Sequence, residues 1–201
     1  IENVARMAGM PVGPLSLNDE VGVDLALKVL KATKAQVGPE AIDAGQEQLL
    51  TAMVERQGRL GRKNGKGFYD YPEKGQGSKR LWPGLSDLQP TRLAPDAVDI
   101  AELKHRFLVV QALEAARTFE EGVVTDPREA DVGSILGFGF APFTGGALSY
   151  IDGMGARRFV EIARALAARH GARFAPPPGL VEMAERGGSF YGGEARQLRA
   201  A

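Results

Sequence analysis

The sequence predicts an all-α protein made of two tandem helical units. Three observations carry that prediction. Apolar residues recur every three or four positions along most of the chain, the period of an amphipathic helix. The one run with strand character, Phe68 to Tyr71, is too short to build a sheet. A motif that begins at Gly13 returns at Gly146 with identical spacing, so the helices fall into two like sets.

Ile1 to Met7 reads as the tail of a helix stopped at Gly9. Met10-Pro11-Val12-Gly13-Pro14 breaks it, because each proline lacks an amide donor and pushes its predecessor toward extended backbone. A short helix is expected from Ser16, then an amphipathic helix over 21–31 with Val21, Leu25, Lys28 and Val29 on one stripe. Gly38-Pro39-Glu40 opens another, with proline tolerated in the first turn and Ile42, Leu49, Leu50, Met53 and Val54 as its apolar face. Gly58 stops it, and a glycine-rich basic loop runs to Gly67 and Phe68-Tyr69-Asp70-Tyr71. Residues 72–95 are rich in proline, glycine and charge and are expected to form a linker. A long helix follows from Asp96 to Glu121, with Ile100, Leu103, Phe107, Val110 and Leu113 inward. Shorter helices are expected over 128–136, 155–169 and 179–185, the middle one with Phe159, Ile162 and Leu166 inward and His170-Gly171 as its stop.

The repeat is Gly-x-Leu-Ser-φ-x-Asp-x-φ-Gly, φ being apolar, at Gly13–Gly22 and Gly146–Gly155. Gly67-Phe68-Tyr69 has a partial echo in Ser189-Phe190-Tyr191. Two like units made from one chain suggest a pseudo-twofold pair packed face to face. Asp19 and Asp152, the aspartates of the motif, read as caps on the helices that follow them. A substrate contact is the other reading.

Composition excludes several functions. Among 201 residues, 25 are Lys or Arg and 25 are Asp or Glu, so no net positive field draws nucleic acid or an anionic membrane. The absence of cysteine excludes disulfides, thiolate catalysis, iron–sulfur clusters and cysteine zinc sites. No apolar run reaches the ~18–20 residues of a membrane span, and the first residues are not a signal peptide, so the expected setting is cytoplasmic. The chain opens on Ile1-Glu2-Asn3-Val4, without Met and already in helical pattern, which suggests a fragment of something longer.

Candidate chemistry is sparse. Gly61-Arg62-Lys63-Asn64-Gly65-Lys66-Gly67 is one residue short of a phosphate loop, places Gly67 where Ser or Thr must hold magnesium, and follows no strand. Gly137-x-Gly139 lacks the third glycine of a dinucleotide fingerprint. No cofactor-binding residue is therefore assigned. Arg56, Arg59, Arg62, Lys63 and Lys66 read as a solvated loop at a helix end, the alternative being contact with an anionic ligand such as a CoA phosphate. His105 and His170 have no neighbours at metal-ligand spacing, so no metal site is assigned. Glu114, Glu120 and Glu121 have no histidine or nucleophile close in sequence, and Ser16 and Ser149 are not in a nucleophile elbow. No catalytic residue is assigned.

Three stretches of the first unit carry a resemblance: Gly9-Met10-Pro11-Val12-Gly13-Pro14, then Leu17-x-Asp19-x-Val21-Gly22-Val23-Asp24, then Gly61 through Tyr71. In the second unit they are Glu114-Ala115 through Glu120-Glu121-Gly122, Gly137 through Phe143, and Gly145-Gly146 through Tyr150-x-Asp152-x-x-Gly155. Together they resemble the C-terminal tandem helical domains of 3-hydroxyacyl-CoA dehydrogenases of the multifunctional fatty-acid β-oxidation type. The resemblance implies a fold like the C-terminal domain of 6-phosphogluconate dehydrogenase. It implies a first unit over 1–71 lacking its first helix, a linker over 72–95 and a second unit over 96–201. It also implies a parent enzyme that oxidises L-3-hydroxyacyl-CoA with NAD, the histidine–glutamate pair and the NAD site both lying in a Rossmann domain that this chain does not contain. The isolated chain is then expected to be inactive. Its role would be to form one wall of the acyl-CoA cleft, with Met10, Pro11 and Gly13 nearest the acyl chain, and an internal pseudo-dimer. An upstream enoyl-CoA hydratase domain and a homodimer are the further partners it suggests. The competing reading is a free-standing, non-catalytic helical dimerisation module.

Overall fold

The computed structural model describes residues 1–73, 76–88 and 94–192. Nine α-helices and one two-stranded hairpin account for the regular structure of these residues, apart from short 3₁₀ and π turns. The helices are α1 (Glu2–Met7), α2 (Pro14–Val21), α3 (Val23–Val37), α4 (Ala44–Thr51), α5 (Ile100–Glu120), α6 (Pro127–Phe138), α7 (Ala147–Met154), α8 (Ala156–His170) and α9 (Pro178–Arg186). The hairpin pairs β1 (Tyr69–Asp70) with β2 (Arg80–Leu81), antiparallel, Tyr69 opposite Leu81.

Two compact units emerge, and their limits do not follow the expected ones. The first comprises Ile1–Glu2 and Val12–Val98, the second Asn3–Pro11 and Asp99–Ala201. Most of α1 and the turn after it therefore belong with the second unit.

In the first unit the core is Val23, Leu27 and Leu30 of α3, Leu50 and Met53, Phe68 and Leu85. The stripe expected to face inward lies outward: Val21, Leu25 and Val29 are about half exposed. Gly22, at φ +106°, ends α2 and starts α3 as a new helix, and Val23, Leu27 and Leu30, at i, i+4 and i+7, form its inner face. Pro39–Ala41 forms one 3₁₀ turn, and α4 starts only after Asp43, whose side chain accepts the Gln46 amide at 3.0 Å. The helix runs on as a π segment over Ala52–Arg56.

The segment expected to be a linker contributes to this core where it is described. The Trp82 amide donates to the Phe68 carbonyl at 2.9 Å. Leu85 is buried, and Trp82 and Leu88 pack beside it. Its proline, glycine and charge content masked an apolar run, Leu81-Trp82-Pro83-Gly84-Leu85, that closes the hairpin over the helices. Residues 74–75 and 89–93 of that expectation lie outside the described residues.

In the second unit α5 is central. It starts later than expected, at Ile100, because the Asp99 carboxylate accepts the Glu102 amide at 2.9 Å and fixes the first turn. Val109, Ala112, Leu113 and Ala116 are at most 2% exposed and meet Leu148, Ile151, Phe159, Val160 and Ala163 from α7 and α8. A smaller cluster joins Phe107 and Leu108 of α5 to Ala8, Phe140, Ala141 and Ala147. Gly9 allows that approach, since a Cβ there would lie 2.6 Å from the Ala141 Cβ. Asp126 caps α6 by accepting the Arg128 amide, and Gly139, at φ +74°, ends it.

Candidate functional site

The repeat converges on buried carboxylates, and these define the most organised polar site in each unit. In the first unit Asp19 is fully buried near the end of α2. It accepts the Phe68 amide at 2.6 Å, the Tyr69 amide at 2.9 Å and the Tyr71 hydroxyl at 3.0 Å. Glycine is required where the loop passes: a Cβ on Gly67 would lie 2.0 Å from Asp19 Oδ1, and one on Gly61 2.5 Å from the Asp19 carbonyl oxygen. Burial raises the Tyr71 phenol far above its ordinary pKa, and the Asp19 carboxylate beside it adds to the rise.

Arg59 locks the same loop from the other side. Its Nε donates to the Gly67 carbonyl at 2.6 Å, and Nη2 reaches the Tyr69 carbonyl and Asp70 Oδ1. Its guanidinium lies 4.2 Å from the centre of the Trp82 ring, a stacked cation–π contact. Of the rest of the expected basic cluster, Arg62 meets Glu20 and Lys63 meets Asp24. The Lys63 ammonium holds the Asp24 carboxyl below its usual range.

The second unit repeats the tie. Asp152 accepts the Phe190 amide at 3.0 Å and the Tyr191 amide at 3.1 Å. Burial raises its pKa, the two amides oppose the rise, and the charge of Asp131 reinforces it. Asp131, buried on α6, accepts the Leu148 amide at 2.7 Å and the Ser149 amide at 3.1 Å, together with the hydroxyls of Ser149 at 2.5 Å and Tyr191 at 2.6 Å. Its counterpart in the first unit is Glu2, whose Oε1 accepts the Ser16 amide at 2.7 Å. Both carboxylates press on the glycine before the repeat helix, so a Cβ on Gly13 would collide with Glu2 and one on Gly146 with Asp131.

These contacts correct the capping expectation. Asp19 and Asp152 do not cap α3 and α8, which open at Gly22 and Gly155 with no side-chain cap. They hold the returning Phe-Tyr segments instead. The capping is done by Glu2 and Asp131, one helix upstream, on the first turns of α2 and α7.

Among the acyl-pocket candidates, Gly13 is buried under the Glu2 carboxylate, Met10 is half-buried and Pro11 is exposed, its ring close to Gly139. A cavity of about 390 Å³ between α5 and α6 and another of about 820 Å³ at the start of α8 are lined by other residues. His170 Nε2 lies 2.8 Å from Glu102 Oε1. Among the described residues no group of three or more His, Cys, Asp or Glu is placed to hold a metal ion. None of their helices is long and apolar enough to cross a membrane. The glycine-rich loop does not fit a nucleotide phosphate. The Gly61, Lys66 and Gly67 amides are already bonded to the Lys66, Gly61 and Tyr69 carbonyls. Sequence reasoning missed the roles of Arg59, Asp131 and Glu2. The one signal available for the last two was an acidic residue upstream of each repeat.

Chemically, the carboxylates are spent as hydrogen-bond acceptors inside helical units. Such a site holds chain segments in register. Residues 1–71 match the family described as 3-hydroxyacyl-CoA dehydrogenase, C-terminal domain. Among curated proteins it is 41% identical over 186 residues to the fatty acid oxidation complex subunit alpha of Shewanella loihica. That match covers 91% of this chain and 25% of the relative, so the chain spans about a quarter of the relative's length. The fold is similar to that of 3-hydroxybutyryl-CoA dehydrogenase from Escherichia coli K12, with a TM-score of 0.62 at 18% identity over 92% of this chain and 54% of that one. It is also similar to the dehydrogenase part of multifunctional enzyme 1 from C. elegans, with a TM-score of 0.58 at 16% identity over 92% of this chain and 41% of that one.

Proposed function

We propose that this chain is the C-terminal helical part of an NAD-dependent L-3-hydroxyacyl-CoA dehydrogenase of fatty-acid β-oxidation, working in the cytoplasm. The observation that carries the proposal is the 41% identity with a fatty acid oxidation subunit along 91% of the chain. In the reaction the C3 hydroxyl would give its proton to a base and the C3–H bond its hydride to NAD, leaving a 3-ketoacyl thioester. Neither role is assigned to the clamp carboxylates or to the glycine-rich loop. Asp19, Asp131 and Asp152 are committed to holding the backbone, and the Gly61–Gly67 loop is closed on itself. The chain's part is to form a wall of the acyl-CoA cleft beside a Rossmann domain, with Met10, Pro11 and Gly13 as its acyl-facing turn. The duplicated clamps support reading the two units as an internal pseudo-dimer. An enoyl-CoA hydratase domain in the same polypeptide, and a homodimer, belong to the same reading.

The test is NAD reduction with 3-hydroxybutyryl-CoA and with longer 3-hydroxyacyl-CoAs. The whole protein that contains residues 1–201 should be active, and residues 1–201 alone should not. Turnover by the 201-residue chain alone would overturn the proposal, as would an inactive whole protein.

A further inference from the structure

We propose that the hollow at the start of α8 is a docking site for an acidic loop of a partner protein. In the first unit the equivalent place is filled by a basic loop of this chain itself.

The repeat aligns the two places. Gly22 matches Gly155, so Val23 corresponds to Ala156 and Asp24 to Arg157. In the first unit residues 57–67 lie between the π segment and Phe68, and they fold back onto the start of α3. The Leu60 carbonyl accepts the Val23 amide at 3.1 Å. Lys63 pairs with Asp24, and Arg62 with Glu20. A Cβ on Gly22 would lie 3.7 Å from both the Leu60 carbonyl oxygen and the Lys63 ammonium. In the second unit residues 187–189 alone separate α9 from Phe190, and the loop has no counterpart. A hollow of about 820 Å³ stands there instead, lined by Gly155, Ala156, Arg157 and Arg158 on one side and by Ala184 and Gly188 on the other. A Cβ on Gly155 would meet nothing within 4 Å. Among the described residues the Ala156 amide has no acceptor to match the Leu60 carbonyl.

The charge of the wall indicates the occupant. The first unit presents Glu20 and Asp24 to a loop that carries Arg62 and Lys63. At the matching positions the second presents Gly153 and Arg157, and Arg158 stands where the first has Leu25. Arg157 and Arg158 are exposed, and among the described residues neither has an ion-pair partner, Glu161 on the next turn included. Asp152 also lines the hollow, but its carboxylate is committed to the Phe190 and Tyr191 amides. A segment that restores the contacts of the first unit brings a backbone carbonyl to Ala156 and a carboxylate to Arg157 and Arg158. The 57–67 loop of a second copy would set cation against cation there, which points to a different protein as the source.

The probe is a fluorescein-labelled cyclic peptide with the sequence of residues 57–67 in which Arg59, Arg62, Lys63 and Lys66 are each replaced by glutamate. Binding to the 201-residue chain is read by anisotropy and mapped by amide exchange. The acidic peptide is expected to bind saturably, to protect the amides of 156–158 and to weaken as salt rises. The unaltered basic peptide is expected not to bind. Arg157→Glu and Arg158→Glu combined in one chain are expected to lower affinity roughly tenfold or more. Arg164→Glu makes the same kind of charge change on an exposed residue of α8 outside the lining, and is expected to leave binding unchanged. All three side chains face solvent, so the helical circular dichroism is expected to hold in both variants.

Absence of saturable binding overturns the inference. Equal binding of the basic peptide, or an equal loss in Arg164→Glu, also overturns it, because the attraction is then general. Protection of 156–158 by inorganic phosphate but not by the peptide would make the hollow a small-anion site and overturn it equally. So would protection without peptide in a chain that sediments as a dimer, because a second copy then fills the hollow. None of these readings depends on dehydrogenase activity, so this inference and the proposed function stand or fall separately.

Discussion

The two units tie the same returning Phe-Tyr segment to the same motif aspartate, but they finish the tie differently. In the first, Asp19 takes two amides and the Tyr71 hydroxyl, and the loop is braced from outside by Arg59 stacked on Trp82. In the second, Asp152 takes two amides only. The Tyr191 hydroxyl passes it by and closes on Asp131, which also holds the first turn of α7. The serines diverge too: Ser149 donates to Asp131, whereas Ser16 accepts from the Lys79 ammonium at 2.6 Å. Glu2, serving the place of Asp131, has one oxygen buried without a hydrogen-bond partner. The backbone tie is therefore the common element, and the side chains around it are replaceable. The first unit adds cations and a short hairpin, and the second adds Asp131, a further carboxylate that takes the phenol.

That contrast makes graded predictions. Asp131→Ala should be the most damaging change, because it strands the Leu148 and Ser149 amides and two hydroxyls at once. A loss on the order of 3 kcal/mol or more is expected from unpaired buried groups, read as a fall in the urea midpoint. Arg59→Ala comes next, at roughly 2 kcal/mol for lost charged hydrogen bonds and the Trp82 stack. It should also quench or shift the single tryptophan's fluorescence, and an unchanged spectrum would contradict the stacking. Asp152→Asn should act through pH. Burial raises the pKa of Asp152 above its unfolded value near 3.8, so the native state holds the extra proton. The stability this confers is complete below 3.8 and disappears as pH rises through the folded pKa. The asparagine variant should accordingly gain on the parent as pH rises across that window, and a constant difference in urea midpoint would refute the linkage. Lys79→Met should cost least, under about 1 kcal/mol, because the ammonium is half-exposed and meets one hydroxyl and the faces of Tyr69 and Tyr71.

The duplication and the helical class were legible from spacing alone, since Gly, Ser and Asp recur at fixed intervals and helices leave a local period. The role of the motif aspartate was not. Capping joins residues two or three apart, but Asp19 meets partners 49 to 52 positions away, a separation that carries no spacing signal. The Phe190-Tyr191 echo of Phe68-Tyr69 pointed toward those partners. It needed three dimensions to become a contact. The inner face of α3 was ambiguous because Val21, Leu25 and Val29 recur at helical spacing as well as Val23, Leu27 and Leu30, and the hairpin strand with Trp82 was hidden by the composition of its neighbours. The Arg59 clamp was obscured for a different reason. In sequence it is one of five cations around a glycine-rich loop, and only burial separates it from Arg62 and Lys63, which face solvent.

The most direct test of the clamp account is residue-resolved amide exchange in Asp19→Asn and Asp152→Asn. Protection should fall at Phe68 and Tyr69 in the first variant and at Phe190 and Tyr191 in the second, while the first turns of α3 and α8 stay as they were. Loss of protection in those first turns, with the Phe-Tyr amides unchanged, would show that the aspartates cap helices after all and would contradict the account.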